Sequence, residues 1–390
     1  MGQPKYLAVE SIRGFACFMV LVSHLSLTFF PYLHAFDGKG DPSANPIQSF
    51  VHESPLGFFY SGTSAVFIFF VLSGYILTKI ALKHGGSERI ISMSIKRYPR
   101  LMLPALGSCL LAYVCFRIFD LSDHRLTDWI HDYGNFSPSL IGAVYNGMFD
   151  VFFLSGQSEY NPVLWTMKIE LIGSFVIFFL CFNKIRLGFS YLPVVSLFAV
   201  AFLLFLGSID LGLGLGLLSF LGGFLFCLYG GMVGNKLSIA LLVFGLYLAG
   251  VHNESWSYTL VVSLLGDMTY NFCNFLSGFF IVYAIIFNEK LNTLFSGRLG
   301  VFMGKVSFSV YLLHMPIIST FGVFTFVIFS RYINEYTIAA ILTSVVSILF
   351  TYMVALVYYK LVDSQGMKVS DSLANLVVSR GFWGKLVKAS

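Results

Sequence analysis

The chain of 390 residues is 57% hydrophobic and only 11% charged, with a mean hydropathy of +0.81, which excludes a water-soluble surface of the usual kind. Apolar runs of about 20 residues recur along nearly its whole length, each able to cross a hydrocarbon core of roughly 30 Å. The net charge of +5 is what basic cytoplasmic loops supply in such a protein, and it does not imply a nucleic-acid partner.

The first apolar run, residues 7–31, carries three ionisable residues: Glu10, Arg13 and His24. A helix turns about 100° and rises about 1.5 Å per residue, so Arg13 and His24 share one face about 16 Å apart, and Glu10 meets Arg13 at i, i+3. Ionisable groups in hydrocarbon face a bundle interior or a wet cavity, where they either tie helices together or do chemistry. The run begins close to Met1 and has no small-residue cleavage site, so it reads as a retained span rather than a signal peptide.

Further spans are predicted at 58–82, 101–119, 163–182, 189–206, 211–233, 237–251, 258–287, 299–329 and 338–361. The expected fold is an all-α polytopic transmembrane helix bundle of about ten helices. Lys and Arg gather on one set of alternating loops, among them Lys96, Arg97, Arg100, Lys184, Arg186, Lys290 and Arg298, which places both termini in the cytoplasm. Residues 1–362 read as one membrane domain and 363–390 as a basic cytoplasmic tail. Residues 137–156 read as an outer interfacial or re-entrant helix. The span at 258–287 is too long for one straight crossing and is expected to tilt or break around Asp267. The Gly-rich run 212–216 reads as a helix-packing surface. All six cysteines fall in apolar spans, with no metal-ligand spacing and no loop disulfide.

Four more stretches carry chemistry-bearing groups. Ser73 and Gly74 interrupt an apolar run and permit close approach of a helix or a ligand. Arg97 and Arg100 crowd guanidinium groups just before the third span; such a cluster suits phosphate recognition, although cytoplasmic flanks are basic in general. Lys168 and Glu170 lie two residues apart in the span that opens on Trp165, so they point to different faces. Tyr311 and His314 lie one turn apart in the ninth span. Counted from the outer ends of their helices, His24 and Glu170 both come out roughly 10–12 Å deep, at a level where they can meet.

Taken in order, Glu10-Ser-Ile-Arg13-Gly with His24 at an Arg-x(10)-His spacing, Phe-Phe-Val-Leu-Ser73-Gly74-Tyr, Arg97-x-x-Arg100, Trp165-Thr-Met-Lys168-Ile-Glu170 and Ser-Phe-Ser-Val-Tyr311-Leu-Leu-His314-Met-Pro follow the motif order of the acyltransferase-3 family. The chain resembles that family from its N terminus to about residue 361. The resemblance implies an integral-membrane O-acyltransferase of a bacterial inner membrane. It would move an acyl group, typically acetyl, from cytoplasmic acyl-coenzyme A to a hydroxyl of a surface or exported sugar such as a polysaccharide or lipopolysaccharide, without a metal. It also implies that His24 holds the catalytic position of the Arg13/His24 pair, that Arg97 and Arg100 form the Arg-x-x-Arg motif, and that Glu170 is the acid of the tryptophan motif. Many relatives carry a second acid directly after that glutamate, where this chain has Leu171. The soluble esterase-like extension of some members is not seen, which leaves delivery to a separate periplasmic or membrane partner protein open.

The residue chemistry agrees. Imidazole has a pKa near the working pH and suits the base that takes a hydroxyl proton, the role expected of His24. Glu170 is expected to orient that ring and stabilise the imidazolium as it forms, and Arg13 to hold the donor or polarise its carbonyl. Arg97 and Arg100 are expected to anchor the nucleotide phosphates, with the pantetheine arm passing Ser73 and Gly74. Glu10, Trp165, Lys168, Tyr311 and His314 are left as substrate-positioning or structural groups. Direct transfer and an acyl-His24 intermediate both remain open. Two other readings compete: a proton-coupled secondary transporter, disfavoured by the lack of a visible second half, and acyl transfer to a cytoplasmic small molecule. His34, Tyr60, Trp129, His131 and Tyr133 near the outer loops suit sugar contacts or interfacial anchoring.

Overall fold

The computed structural model describes residues 4–34, 46–83, 86–119, 125–126, 128–133, 135–188 and 191–380. Parts of the expected outer loops, at 35–45 and 120–124, and the end of the tail, at 381–390, lie outside the described residues. Among the described residues there is no strand, and eight helical segments are long and apolar enough to cross a membrane. The fold is an all-α polytopic bundle.

In chain order the main helices are α1 (Pro4–Phe29), α2 (Gly62–Lys83), α3 (Ser87–Ile118), α4 (Trp165–Leu187), α5 (Leu192–Phe205) and α6 (Leu211–Tyr229). They continue with α7 (Asn235–Ala249), α8 (Thr269–Ile286), α9 (Arg298–Ile317), α10 (Val323–Tyr332), α11 (Tyr336–Tyr358) and α12 (Ser364–Arg380). Each expected span corresponds to one or two of these, but α5 and α7, with 14 and 15 residues, are shorter than a full crossing.

The site is set by the pairing of α1 with α9. The two helices run parallel in a fixed register: Gly14 faces Gly304, Cys17 Sγ donates to the Ser307 carbonyl at 3.1 Å, and His24 meets His314 at 3.1 Å. A Cβ on Gly304 would overlap the Glu10 carbonyl, and one on Gly300 the Ser11 hydroxyl. Small residues here bring two backbones together, and the close approach carries the register up to the histidines. Helix α2 is enclosed by its neighbours: Gly74 lies against the Phe220 main chain of α6, and Gly223 of α6 against the Val71 carbonyl. Gly214 and Gly216 receive Leu204 and Ile169, the packing surface expected of that glycine run.

The long span before α8 does break. A helix at Thr259–Leu265 stops at Gly266, whose φ of +56° suits a residue without a Cβ, and a 3₁₀ turn through Asp267 leads into α8. Residues 137–161 form an excursion that folds back on itself. The Tyr160 hydroxyl donates to the Ser139 carbonyl at 2.8 Å and accepts from its N–H at 2.9 Å, closing the two ends. The tip reaches inward, where the Tyr98 hydroxyl donates to Met148 O and Lys168 Nζ to Leu154 O. The boundary expected at residue 362 falls inside a helical run: α11 continues through a π-helical turn, Tyr359–Asp363, into α12. Helix α12 lies along α3, with Ser370 and Ala374 buried and Lys96 paired to Asp371 at 2.9 Å.

Candidate active site

A cavity of about 600 Å³ opens between α1, α2, α3, α4, α9 and the α11–α12 junction. Its charged lining has four basic groups, Arg13, Arg97, Arg100 and Lys305, against three acidic ones, Glu10, Glu170 and Asp363. Arg97 from α3 and Glu170 from α4 form a buried ion pair at 2.5 Å, 14% and 13% exposed. Ser73 Oγ donates to the second carboxylate oxygen at 2.9 Å, and Arg97 Nε donates to Ser174 Oγ at 2.6 Å, so both charges are well supplied with hydrogen bonds. Arg13 reaches Glu10 one turn away at 3.3 Å, and this pair is more than one-third exposed. Arg100, one turn beyond Arg97, has no hydrogen bond and no ion pair among the described residues. Its guanidinium offers planar donors to whatever fills the cavity.

Beyond the cavity lies a second group of residues. His24 Nδ1 stands 3.0 Å from the Val20 carbonyl and 3.1 Å from His314 Nε2, while His314 Nδ1 stands 3.2 Å from the Val310 carbonyl. Each carbonyl only accepts, so each Nδ1 carries the proton, an assignment made from partners. His24 Nδ1–H is then shared between Val20 O and the lone pair of His314 Nε2. His24 Nε2 keeps its own lone pair and has no partner among the described residues. His314 is fully buried, His24 is half-buried, and Trp129 stacks on the His24 ring at 5.7 Å between centroids. Tyr311 divides the two groups: it lines the cavity, its ring lies 5.9 Å from that of His314, and its hydroxyl is held by Val163 O at 2.8 Å and Thr166 Oγ1 at 3.0 Å.

Several expectations change. Glu170 does not reach His24: its carboxylate is bound by Arg97 and Ser73, and the partner of the His24 ring is His314. Counting along α4 from Thr166 and along α9 from Tyr311, which touch, puts Glu170 about 10 Å inward of the histidines. The depth count failed because α4 starts inside the bundle, with Asn161 bonded to Ser108 and to Leu312 O and fully buried, some ten residues below the outer end of α3. Arg97 lines the cavity, with its Nε and Nη2 already engaged by Ser174 and Glu170. Gly74 faces α6 and not the cavity, whereas Ser73 does line it. Trp165 packs at the start of α6 near Gly212, and Lys168 donates to the tip of the 137–161 excursion, so neither lines the cavity. Of the outer aromatics Trp129 reaches His24, while the hydroxyls of Tyr60 and Tyr133 are bound to main-chain carbonyls. Lys305 and Asp363 were not singled out from the sequence; the proximity of Lys305 to Tyr359 is invisible there, and Asp363 looked like the first residue of a tail.

The model of the family described as an acyltransferase domain matches residues 6–356. The chain is 23% identical, over an alignment 443 positions long, to the O-acetyltransferase PaAT-1 of Phomopsis amygdali, covering 93% of this chain and 83% of that one. It is 28% identical over 197 residues to an O-acetyl transferase of Shigella phage Sf6, covering half of each. No solved structure matches. With the family model spanning nearly the whole bundle and the motif residues gathered at one cavity and one histidine pair, the chain belongs to the acyltransferase-3 family of membrane O-acyltransferases.

Proposed function

We propose that the chain transfers an acetyl group from acetyl-coenzyme A, entering the cavity from the cytoplasm, to a sugar hydroxyl presented at the opposite face beside His24 and Trp129. The observation that carries this reading is the sequence of groups along the bundle: an unengaged guanidinium at the basic end, a cavity of cofactor size, and then an imidazole with a free lone pair. The excess of basic groups in the lining suits a polyphosphate, with Arg100 and Lys305 at the mouth and Arg13 deeper. Both relatives are named O-acetyltransferases, which favours acetyl as the group moved. The Lys/Arg distribution favours a cytoplasmic basic end, with both termini on that side.

In the transfer the acceptor oxygen attacks the thioester carbonyl carbon while His24 Nε2 takes the hydroxyl proton. The His24 Nδ1–H bond to His314 Nε2 stabilises the positive charge that develops on the ring, the part expected of Glu170 from the sequence. Collapse of the tetrahedral intermediate breaks the carbon–sulfur bond, and the departing thiolate takes the proton from His24. The products are the ester and the free thiol, with no net proton released. Arg97, Glu170, Ser73 and Ser174 hold α2, α3 and α4 together as the cavity wall. The partition at Tyr311 marks where the thioester end of the arm must pass to meet His24.

Isothermal titration of the purified chain with acetyl-coenzyme A tests the donor assignment. Arg100→Ala, which removes a cavity-lining group without breaking a hydrogen bond, is expected to raise Kd at least tenfold with no change in melting temperature. Equal Kd values for wild type and Arg100→Ala would unseat the mouth as the phosphate site.

A further inference from the structure

Asp363 lies beyond the end of the family match and outside every motif of the sequence. It closes the π-helical turn Tyr359–Asp363 that joins α11 to α12, and with Tyr359 and Met367 it lines the cavity. The residue is only 5% exposed, and its Oδ1 is buried without a hydrogen-bond partner among the described residues. Arg100 and Arg13 act on it across the cavity, but neither is at ion-pair distance. A buried carboxylate oxygen left without a donor is uncommon and costly, and it needs an explanation. The extra residue of a π turn rotates the helix beyond it, and such turns recur at functional positions.

We propose that Tyr359, Asp363 and Met367 form the C-terminal wall of the donor site, and that Asp363 Oδ1 accepts a hydrogen bond from an N–H or O–H on the pantetheine or nucleotide part of the donor. The proposal rests on the reading of the cavity as an acyl-coenzyme A site. A carboxylate repels phosphate, so the group that satisfies it must be a hydrogen-bond donor on a ligand whose anionic parts go to Arg100 and Lys305. Coenzyme A combines the two, with amide N–H, hydroxyl and exocyclic amine groups close to phosphates. Acetyl phosphate offers only the anion. Asp363 therefore makes the cavity select a thioester with a long polar arm over a small acyl phosphate.

The test uses the full-length chain purified in nanodiscs, with acetyl-coenzyme A and acetyl phosphate as probes. Asp363→Ala is expected to raise the Kd for acetyl-coenzyme A at least tenfold, the loss of one charge-assisted hydrogen bond. Asp363→Asn, which keeps the Oδ1 acceptor and the volume, should stay within threefold of wild type. As a second probe of the wall, Met367→Cys should react with a water-soluble maleimide, and saturating acetyl-coenzyme A should slow that reaction at least tenfold over the wild-type background. Acetyl phosphate should not slow it. A Kd for Asp363→Ala within twofold of wild type, or labelling of Met367→Cys that acetyl-coenzyme A leaves unchanged, overturns the C-terminal wall while leaving the donor site itself standing. A folded wild-type chain that binds no acetyl-coenzyme A overturns the reading of the cavity, and the Asp363 assignment with it.

Discussion

Replacing Glu170 by Gln, Arg97 by Gln, and both together asks whether these residues act as one ion pair or as separate parts of a catalytic apparatus. Their side chains are 13% and 14% exposed and joined at 2.5 Å, so water screens them little. At an effective dielectric near 20, unit charges about 4 Å apart attract by about 4 kcal/mol. Removing one partner of a buried pair typically costs about 3–5 kcal/mol, because the survivor stays buried without its counter-charge. Ser73 remains to Glu170 and Ser174 to Arg97, which offsets part of that cost. Each single variant is therefore expected to lose about 3 kcal/mol and the double variant only slightly more, a coupling of about 2–3 kcal/mol. Unfolding of the purified chain in mixed micelles measures the cycle, and acetyl-coenzyme A titration of the same samples should show a similar rise in Kd for all three. Stability losses that add to within about 0.5 kcal/mol, with donor binding lost in Arg97→Gln alone, would refute the pairing and restore two independent roles.

Two further outcomes concern the histidines. His314→Ala is expected to lower kcat by about 10²–10³, the usual effect of removing one preorganised group at a developing charge, with an unchanged Kd for acetyl-coenzyme A because His314 does not line the cavity; thiol release at saturating donor reads it, and an unaltered kcat removes His314 from the chemistry. At the outer end His34, His52, His252 and Tyr60 pack together, with the His52 and His252 rings 4.5 Å apart. Burial, with repulsion from neighbouring His24 and His52, pushes the His34 imidazole down to about 3, and His252 lies well below its ordinary value for the same kinds of reason. Unfolded histidine titrates near 6.5, so between pH 6.5 and 3 the unfolded chain binds more protons and stability falls as pH falls. The loss reaches about 2 kcal/mol per such histidine by pH 5. Melting curves should drop between pH 7 and 5 and drop less steeply in His34→Gln, where His252 still contributes; a wild-type Tm independent of pH over that range contradicts the cluster's buried, neutral state.

Much of the bundle was legible because hydrophobic length is a one-dimensional property. The long spans, the departure of 258–287 from one straight crossing and the packing glycines at 212–216 could all be read from run length and interruption. The pairing of polar groups was not, because it depends on where each helix begins relative to the others. His24 and Glu170 were matched by depth counted from outer ends, yet α4 begins at buried Asn161 and α9 runs on through a π turn into α10, so those ends are not level. Counted from inner ends, His314 lies 16 residues from Arg298 and His24 lies 20 from Pro4, close enough to predict their meeting. Ser73 and Gly74 show the same limit: adjacent residues on one helix face opposite neighbours, one toward the cavity and one toward α6. Asp363 was hidden by the end of the continuous apolar pattern, since α12 interleaves Lys368, Asp371 and Asn375 with Val369, Leu373, Leu376 and Val377 on its exposed side and gives no span signal of its own.

The most direct measurement is a single-turnover transfer of radiolabelled acetyl from saturating acetyl-coenzyme A by wild type and by His24→Ala, with donor affinity titrated on the same preparations. The account predicts that His24→Ala binds the donor within twofold of wild type and transfers acetyl about 10²–10⁴-fold more slowly, the range that general-base catalysis supplies. Transfer by His24→Ala at the wild-type rate, with the donor equally bound, would contradict it.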